Sequence, residues 1–215
     1  ISSVNSISAL CEKTGADIDE VVKVVGADRR IGNNFLKPGP GFGGSCFKKD
    51  ILNLVYLCNY YGLSEVAEYW NCVLKINDWQ QERIAKILIE KLFNTLSEKK
   101  IAVLGFAFKA NTNDIRESPA IKICRLLMNE GAFLSIHDPK VTKDQIKEVF
   151  EKEDNFKKDS FDNQLFKENK NWIVEESVTD CIVDASCVLI LTEWQEYKKI
   201  NWDQFSECHY NKWIF

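Results

Sequence analysis

From Ser64 to Leu96 the chain carries neither glycine nor proline. Apolar residues recur there at Val66, Trp70, Val73, Leu74, Ile84, Ile87, Leu88 and Leu92, the spacing of one helical face. Thirty-odd helical residues extend roughly 50 Å at 1.5 Å per residue. A helix of that length with aromatic anchors needs a partner to bury its apolar stripe. The polar run Asn77-Asp78-Trp79-Gln80-Gln81-Glu82-Arg83 within it reads as a kink or an exposed turn. Upstream, helices are expected over Ser2 to Thr14, broken by Gly15, and over Ile18 to Val25 behind a capping-box-like Asp17 and Glu20. A third runs from Asp50 to Tyr61 and is closed by Gly62.

Ser97-Glu98-Lys99 reads as a domain boundary, and the pattern changes after it. Strands are expected at Lys100 to Phe106, Ala132 to His137, Trp172 to Val174 and Cys187 to Leu191, with a last one entered at Trp213-Ile214-Phe215. Helices alternate with them at Ser118 to Glu130, ended by Gly131, and at Thr179 to Asp184. Such alternation argues a parallel sheet. The fold class is therefore α/β: an all-helical region with a long connecting helix over 1–96, then a Rossmann-like parallel-sheet domain over 97–215. The first turn of that sheet, Gly105-Phe106-Ala107-Phe108-Lys109, lacks the GxGxxG glycines that let a backbone approach a dinucleotide pyrophosphate. Its lysine suits a diphosphate held by side-chain charge instead. Between Val141 and Trp172, Lys, Glu, Asp and Asn dominate, which reads as a solvated insertion.

The chemistry is expected in one loop, Lys37-Pro38-Gly39-Pro40-Gly41-Phe42-Gly43-Gly44-Ser45-Cys46-Phe47-Lys48-Lys49-Asp50. Glycines allow positive φ and close approach of a ligand, and prolines stiffen the turns. Cys46 would sit near a helix N-terminus beside two lysines, a positive setting that suits a nucleophilic sulfur. Buried, inert packing is the commoner fate of a cysteine, but packing has no need of flanking glycines and lysines. A carboxylate four residues on, Asp50, suggests covalent catalysis with a helper base; the alternative is that Asp50 caps the following helix.

Composition narrows the remainder. A net charge of −4 points neither to nucleic acid nor to an anionic membrane, and no apolar run reaches the length of a membrane span. Eight cysteines (Cys11, Cys46, Cys58, Cys72, Cys124, Cys181, Cys187 and Cys208) are scattered without a CxxC pair, and His137 and His209 lie far apart. That spacing gives no metal site and no disulfide framework, and reads as reduced thiols in the cytoplasm. His137 is expected to be structural.

Phe42-Gly43-Gly44-Ser45-Cys46-Phe47-Lys48-Lys49-Asp50 resembles the nucleophile motif of the nucleotide-sugar dehydrogenases. Ile1 to Cys11, Arg30-Ile31-Gly32-Asn33, Lys100 to Lys109, and Asp114 with Arg116-Glu117-Ser118 are similar as well. The likeness runs from Ile1 to about Tyr197 and weakens between Val141 and Trp172; Ala110 and Asn113 depart from the family pattern.

The resemblance implies oxidation of the C6 alcohol of UDP-glucose to UDP-glucuronate with two NAD, through a thiohemiacetal and a thioester on Cys46, with Asp50 assisting the base. It assigns the sugar nucleotide to Arg30 (from a neighbouring subunit), Lys37, Pro38, Gly39, Pro40, Gly41, Phe42, Gly43, Phe108 and Lys109. It places Cys46, Phe47, Lys48, Lys49 and Arg116 along the NAD. It further implies a homodimer through the helix over 64–96, with a hexamer as further assembly.

The family's NAD-binding domain, with its catalytic lysine, asparagine and glutamate, would precede Ile1, and an Asp-Gly-Arg would follow Phe215. The chain is thus expected to be the central and C-terminal part of a longer enzyme, inactive by itself. A dehydrogenase of GDP-mannose or UDP-N-acetylmannosamine, and a non-catalytic module that binds nucleotide sugars or serves assembly, are the alternatives.

Overall fold

The computed structural model describes residues 1–154, 171–202 and 213–214. Four helices come first: α1 (Ser2–Thr14), α2 (Ile18–Gly26), α3 (Phe47–Tyr60) and α4 (Ser64–Lys91). The turns between them follow from local chemistry. Gly15 closes α1 in the left-handed region at φ 75°, and the Asp17 side chain caps α2 by accepting from the Asp19 N–H. Helix α4 packs on α3 and α1. Arg83 of α4 pairs with Glu12 of α1 and lies over the Trp79 ring.

Helix α4 has 28 residues, about 42 Å, and stops short of the expected Leu96. Phe93 and Asn94 adopt φ 63° and 60°, which ends the helix. Lys99 then donates to the carbonyls of Leu92 and Thr95, a cation against the negative end of the helix dipole. Helix α4 runs unbroken through the expected kink or turn; Asn77, Gln80 and Gln81 are buried there, while Asp78 and Trp79 are exposed.

The second half of the chain follows in the order β1 (Lys100–Leu104), α5 (Pro119–Asn129), β2 (Phe133–His137), α6 (Lys143–Asp154), β3 (Trp172–Val174), α7 (Val178–Ile182), β4 (Cys187–Ile190) and β5 (Trp213–Ile214). All strand pairs are parallel, in the order β3-β2-β1-β4-β5. Strand β1 lies in the middle, and Ile101 to Leu104 are fully buried, as expected of a strand covered on both faces. Ser118 caps α5 through the Ala120 N–H, with Pro119 at the first helical position, where its missing N–H costs nothing.

One hydrophobic core joins the two halves. Ala85 and Leu88 of α4, with Leu92 and Leu96 beyond it, pack with Ile101, Val103, Ile123 and Leu127 of the sheet domain. The polar stretch after Val141 is in part helix rather than solvated insertion. Residues 143–154 form α6, whose Ile146 and Phe150 enter this core, and Phe150 meets Phe106 edge to face. Two apolar residues one turn apart sufficed to seat a helix of otherwise charged composition. The rest of the expected insertion, residues 155–170, lies outside the described residues, as do Cys208, His209 and Phe215.

His137 ends β2, buried, with its Nδ1 3.0 Å from the Tyr197 hydroxyl. The Tyr197 hydroxyl in turn donates to the His137 carbonyl. Burial lowers the His137 pKa below its ordinary 6.5, against the opposite pull of Glu196 and Asp138. The unfolded chain therefore takes up this proton at higher pH than the folded one. Stability is full above pH 6.5 and is expected to fall as pH drops through the folded pKa, by at most about 1.4 kcal/mol per unit. Urea titrations at pH 7.5, 6.5 and 5.5 check this, and His137→Gln is expected to flatten the dependence.

Candidate active site

The strand order reverses between β1 and β4, so the carboxyl ends of these two strands open the crevice where doubly wound sheets take ligands. Strand β1 runs into Gly105, at φ 92°; a Cβ there would lie 2.5 Å from Thr192 Cβ, just past β4. The Thr192 hydroxyl donates to the Ala107 carbonyl and ties the two strand ends together.

Asp138, directly after β2, organises the turn. Its Oδ2 accepts from the amides of Phe106 at 2.7 Å and Ala107 at 3.0 Å, and from Trp194 Nε1 at 3.2 Å. Its Oδ1 accepts from the amides of Lys140 and Val141. The amides at the end of β1 are thus engaged by the protein's own carboxylate. The same amides in a dinucleotide-binding sheet face a pyrophosphate, so this turn is a poor fit for NAD. Phe108 and Lys109 follow, with Lys109 Nζ 5.3 Å from the Phe108 ring.

The glycine loop from the helical half docks on this crevice. The Gly44 amide donates to the Arg116 carbonyl at 2.8 Å. Gly44 also lies against the Phe108 ring, which a Cβ would meet at 3.0–3.3 Å. Lys48 pairs with Glu117 at 2.8 Å, and Lys37 reaches Glu193 beyond β4 at 3.7 Å. A Cβ on Gly43 would lie 2.4 Å from the Glu117 carbonyl oxygen and 2.9 Å from Phe108 Cβ, with no flexible side-chain end to yield. Gly43→Ala is accordingly expected to cost about 1–3 kcal/mol, read as a shift in urea midpoint with unchanged slope.

Cys46 is exposed at the N-terminal boundary of α3, 3.7 Å from Ser45 Oγ. Asp50 does not cap the helix: α3 starts at Phe47, three residues earlier than expected, and the Asp50 amide donates to the Cys46 carbonyl. Its carboxylate thus lies one turn beyond the thiol on the same helix. The early start follows from the loop itself, since Gly44 is pinned to Arg116 and turns the chain directly into helix.

Ser45, Lys48, Lys49, Leu52, Arg116 and Glu117 line an open cleft of about 480 Å³. Arg116 hydrogen-bonds Asp114, and this bond chiefly raises the arginine's pKa and lowers the carboxyl's; Cys46 is close enough to contribute to the former.

Of the expected site residues, the structure brings Lys37, Gly43, Cys46, Lys48, Phe108 and Arg116 to the junction of loop and sheet. Lys49 lines the cleft, and Phe47 packs edge-on against Phe42 beside it. Pro38, Gly39, Pro40 and Gly41 form the loop's first half. Arg30 is not brought in: its guanidinium is exposed and paired with Asp28, two residues away.

Three kinds of residue in this arrangement are not singled out by the sequence. Asp138 carries the β1 turn, Glu117 and Glu193 anchor the loop's lysines, and Asn5, Asn77 and Gln80 bond its backbone. For Asn77 and Gln80 a signal was available: their i, i+3 spacing puts both amides on one face.

Fold and site define a doubly wound α/β protein whose switch-point crevice is closed by a cysteine-bearing loop from a preceding helical region. The chain belongs to the UDP-glucose/GDP-mannose dehydrogenase family: the central domain of that family matches residues 1–79, and its UDP binding domain matches residues 102–215. UDP-glucose 6-dehydrogenase 4 of Arabidopsis thaliana is 48% identical over 95% of this chain and 43% of the relative. The UDP-glucose 6-dehydrogenase of Gallus gallus is 49% identical over 95% of this chain and 40% of its own length. Among solved structures, a UDP-glucose dehydrogenase from the archaeon Pyrobaculum islandicum superposes with a TM-score of 0.75 at 30% identity, covering 94% of this chain and 42% of that one. The chain therefore spans about two fifths of the length of these relatives.

Proposed function

We propose that this chain forms the central and C-terminal parts of a UDP-glucose 6-dehydrogenase, which oxidises UDP-glucose to UDP-glucuronate with two NAD. The observation that carries the reading is the docking of the Cys46 loop, through Gly43, Gly44 and Lys48, on the Phe108–Glu117 segment at the sheet's switch point. UDP-glucose is favoured over GDP-mannose or UDP-N-acetylmannosamine by the kind of relative. The proteins 48–49% identical are UDP-glucose 6-dehydrogenases, whereas a UDP-D-ManNAc dehydrogenase from Pyrococcus horikoshii is 25% identical.

In this reading, the division of labour falls at 96/97. The helical part, 1–96, supplies the nucleophile. The sheet domain, 97–215, holds the UDP moiety through Phe108 and Lys109, with the loop from Lys37 to Gly43 closing over the sugar. Arg30 serves the site of a neighbouring subunit, consistent with its exposure. Exposed Val66, Tyr69 and Trp79 of α4 support a homodimer through the helix over 64–96, with a hexamer as further assembly. Among the described residues no helix is long and apolar enough to cross a membrane, and scattered thiols favour the cytoplasm.

Cys46 Sγ attacks C6 of the bound aldehyde; the C–S bond forms as the carbonyl electrons move to oxygen, which takes a proton. The resulting thiohemiacetal is the species whose oxidation leaves a thioester on Cys46. Water cleaves that bond, freeing the carboxylate and returning the thiol. Asp50, one turn along α3, assists the base that activates this water. Bound NAD supplies the hydride acceptor for each oxidation. Lys48, Lys49 and Arg116 on the open cleft, with Cys46 and Phe47, fit the edge of such an anionic cofactor, whereas its main site lies outside these residues.

The test is turnover. A protein joining these residues to a dinucleotide-binding domain is expected to reduce two NAD per UDP-glucose consumed, and the 215-residue chain alone none. NADH formation by this chain alone would overturn the division of labour, and a ratio of one would overturn the Cys46 chemistry.

A further inference from the structure

Asn5, Asn77 and Gln80 come from two helices, and all are buried, at 0%, 8% and 4% exposure. They converge on the backbone of one loop. The Gly39 amide donates to Asn5 Oδ1 at 2.9 Å, and Gln80 Nε2 donates to the Gly39 carbonyl at 3.0 Å. The Phe42 amide donates to Asn77 Oδ1 at 2.8 Å, while Asn77 Nδ2 donates to the Phe42 carbonyl at 3.1 Å. Both polar groups of Gly39 and both of Phe42 are therefore held by side chains, where a loop would ordinarily use water or its own turns.

Two further observations separate this arrangement from ordinary satisfaction of buried polar groups. Among the described residues, Asn5 Nδ2 is buried without a partner. An unpaired buried donor is costly, so Asn5 is placed for the geometry of its Oδ1 bond rather than for stability. Gly41, between the two clamped residues, has φ 128°, and a Cβ there would lie 2.8 Å from Asn77 Oδ1. The glycine and the helix amide are fitted to each other.

We propose that Asn5, Asn77 and Gln80 are positioning residues, an amide clamp that presets the loop from Gly39 to Phe42 in the conformation that receives a nucleoside diphosphate sugar. The inference rests on the functional reading above. Its physical content is preorganisation: a loop already ordered before binding loses no conformational freedom when the ligand arrives, so the clamp contributes affinity without touching the ligand.

The experiment is calorimetric titration of the full chain with UDP-glucose, well below the melting temperature of each variant. Asn77→Ala and Gln80→Ala are each expected to weaken binding by about tenfold or more. Leu88→Val, in the fully buried part of α4, is expected to lower the melting temperature and leave the affinity unchanged. Gln80→Ala carries the test if Asn77→Ala does not fold. Unchanged affinity in the folded clamp variants, or an equal loss in Leu88→Val, would overturn the clamp and leave the functional reading intact. Failure of the unaltered chain to bind UDP-glucose would instead overturn the functional reading, and the clamp's role with it.

Discussion

Cys46→Ser is expected to abolish the second oxidation of UDP-glucose while leaving the fold as stable as before. Joined to a dinucleotide-binding domain, the variant should lose overall turnover by a factor on the order of 10³ or more, because a serine hydroxyl is a poor substitute for the sulfur at the aldehyde stage. Stability should stay within about 0.5 kcal/mol, because the side chain is exposed and its contact with Ser45 Oγ is a long one, at 3.7 Å. The pair of readouts matters. A cysteine that merely packs the loop would give the reverse, a loss of stability with turnover kept. Steady-state NADH formation and a urea titration of the same preparation measure both.

Asp138→Ala is expected to give the largest loss of stability of any single substitution discussed for this chain. Five donors converge on that buried carboxylate, three on Oδ2 and two on Oδ1. Alanine leaves four of them, the amides of Phe106, Ala107 and Val141 and the Trp194 indole, without an acceptor in the interior, while water can reach the part-buried Lys140 amide. Each buried group costs about 1–3 kcal/mol less whatever relaxation recovers. A net loss of about 3–5 kcal/mol is expected, which for a chain of this size lowers the melting temperature by roughly 10–15 °C. Asp138→Asn, which keeps one acceptor oxygen, should fall between. Because the turn held by Asp138 leads directly into Phe108 and Lys109, the variants that still fold should also bind UDP-glucose more weakly. Thermal melts followed by circular dichroism check the first part, and titration with UDP-glucose the second.

The elements that were legible in the sequence are those in which local chemistry and periodicity agree. Helix α1 ended at Gly15, α2 began at Asp17, and the strand at Lys100 and the helix after Ser118 fell within two residues of expectation. The cysteine loop was legible too, because glycines and prolines so closely spaced have few other uses.

What was not legible depends on tertiary partners. The run from Asn77 to Arg83 is polar enough to suggest an interruption, yet its amides face a loop 35 to 41 residues away that no local pattern reveals. Residues 143–154 are mostly charged, and the core contacts of Ile146 and Phe150 exist only because the sheet presents Phe106 and its neighbours to them. Asp138 read as a residue after a strand; that it bonds amides 31 and 32 positions earlier follows from the parallel pairing of β1 with β2. Helix α3 starts three residues earlier than its local pattern suggests because the chain's entry into the helix is set by the Gly44 bond to Arg116, a contact across the two halves.

The most direct measurement of the central claim is the rate at which iodoacetamide labels each cysteine of the full chain, read by peptide mass spectrometry with and without UDP-glucose. Cys46 and Cys72 are exposed, whereas Cys124, Cys181 and Cys187 are buried, and burial pushes the thiol of Cys181 up to about 11 and that of Cys187 up to about 12. Cys46 is expected to label fastest, and UDP-glucose at ten times its dissociation constant is expected to slow that labelling by about tenfold while Cys72 reacts as before. Labelling of Cys46 that is no faster than that of Cys72, or that saturating UDP-glucose leaves unchanged, would contradict a nucleotide-sugar site built around Cys46.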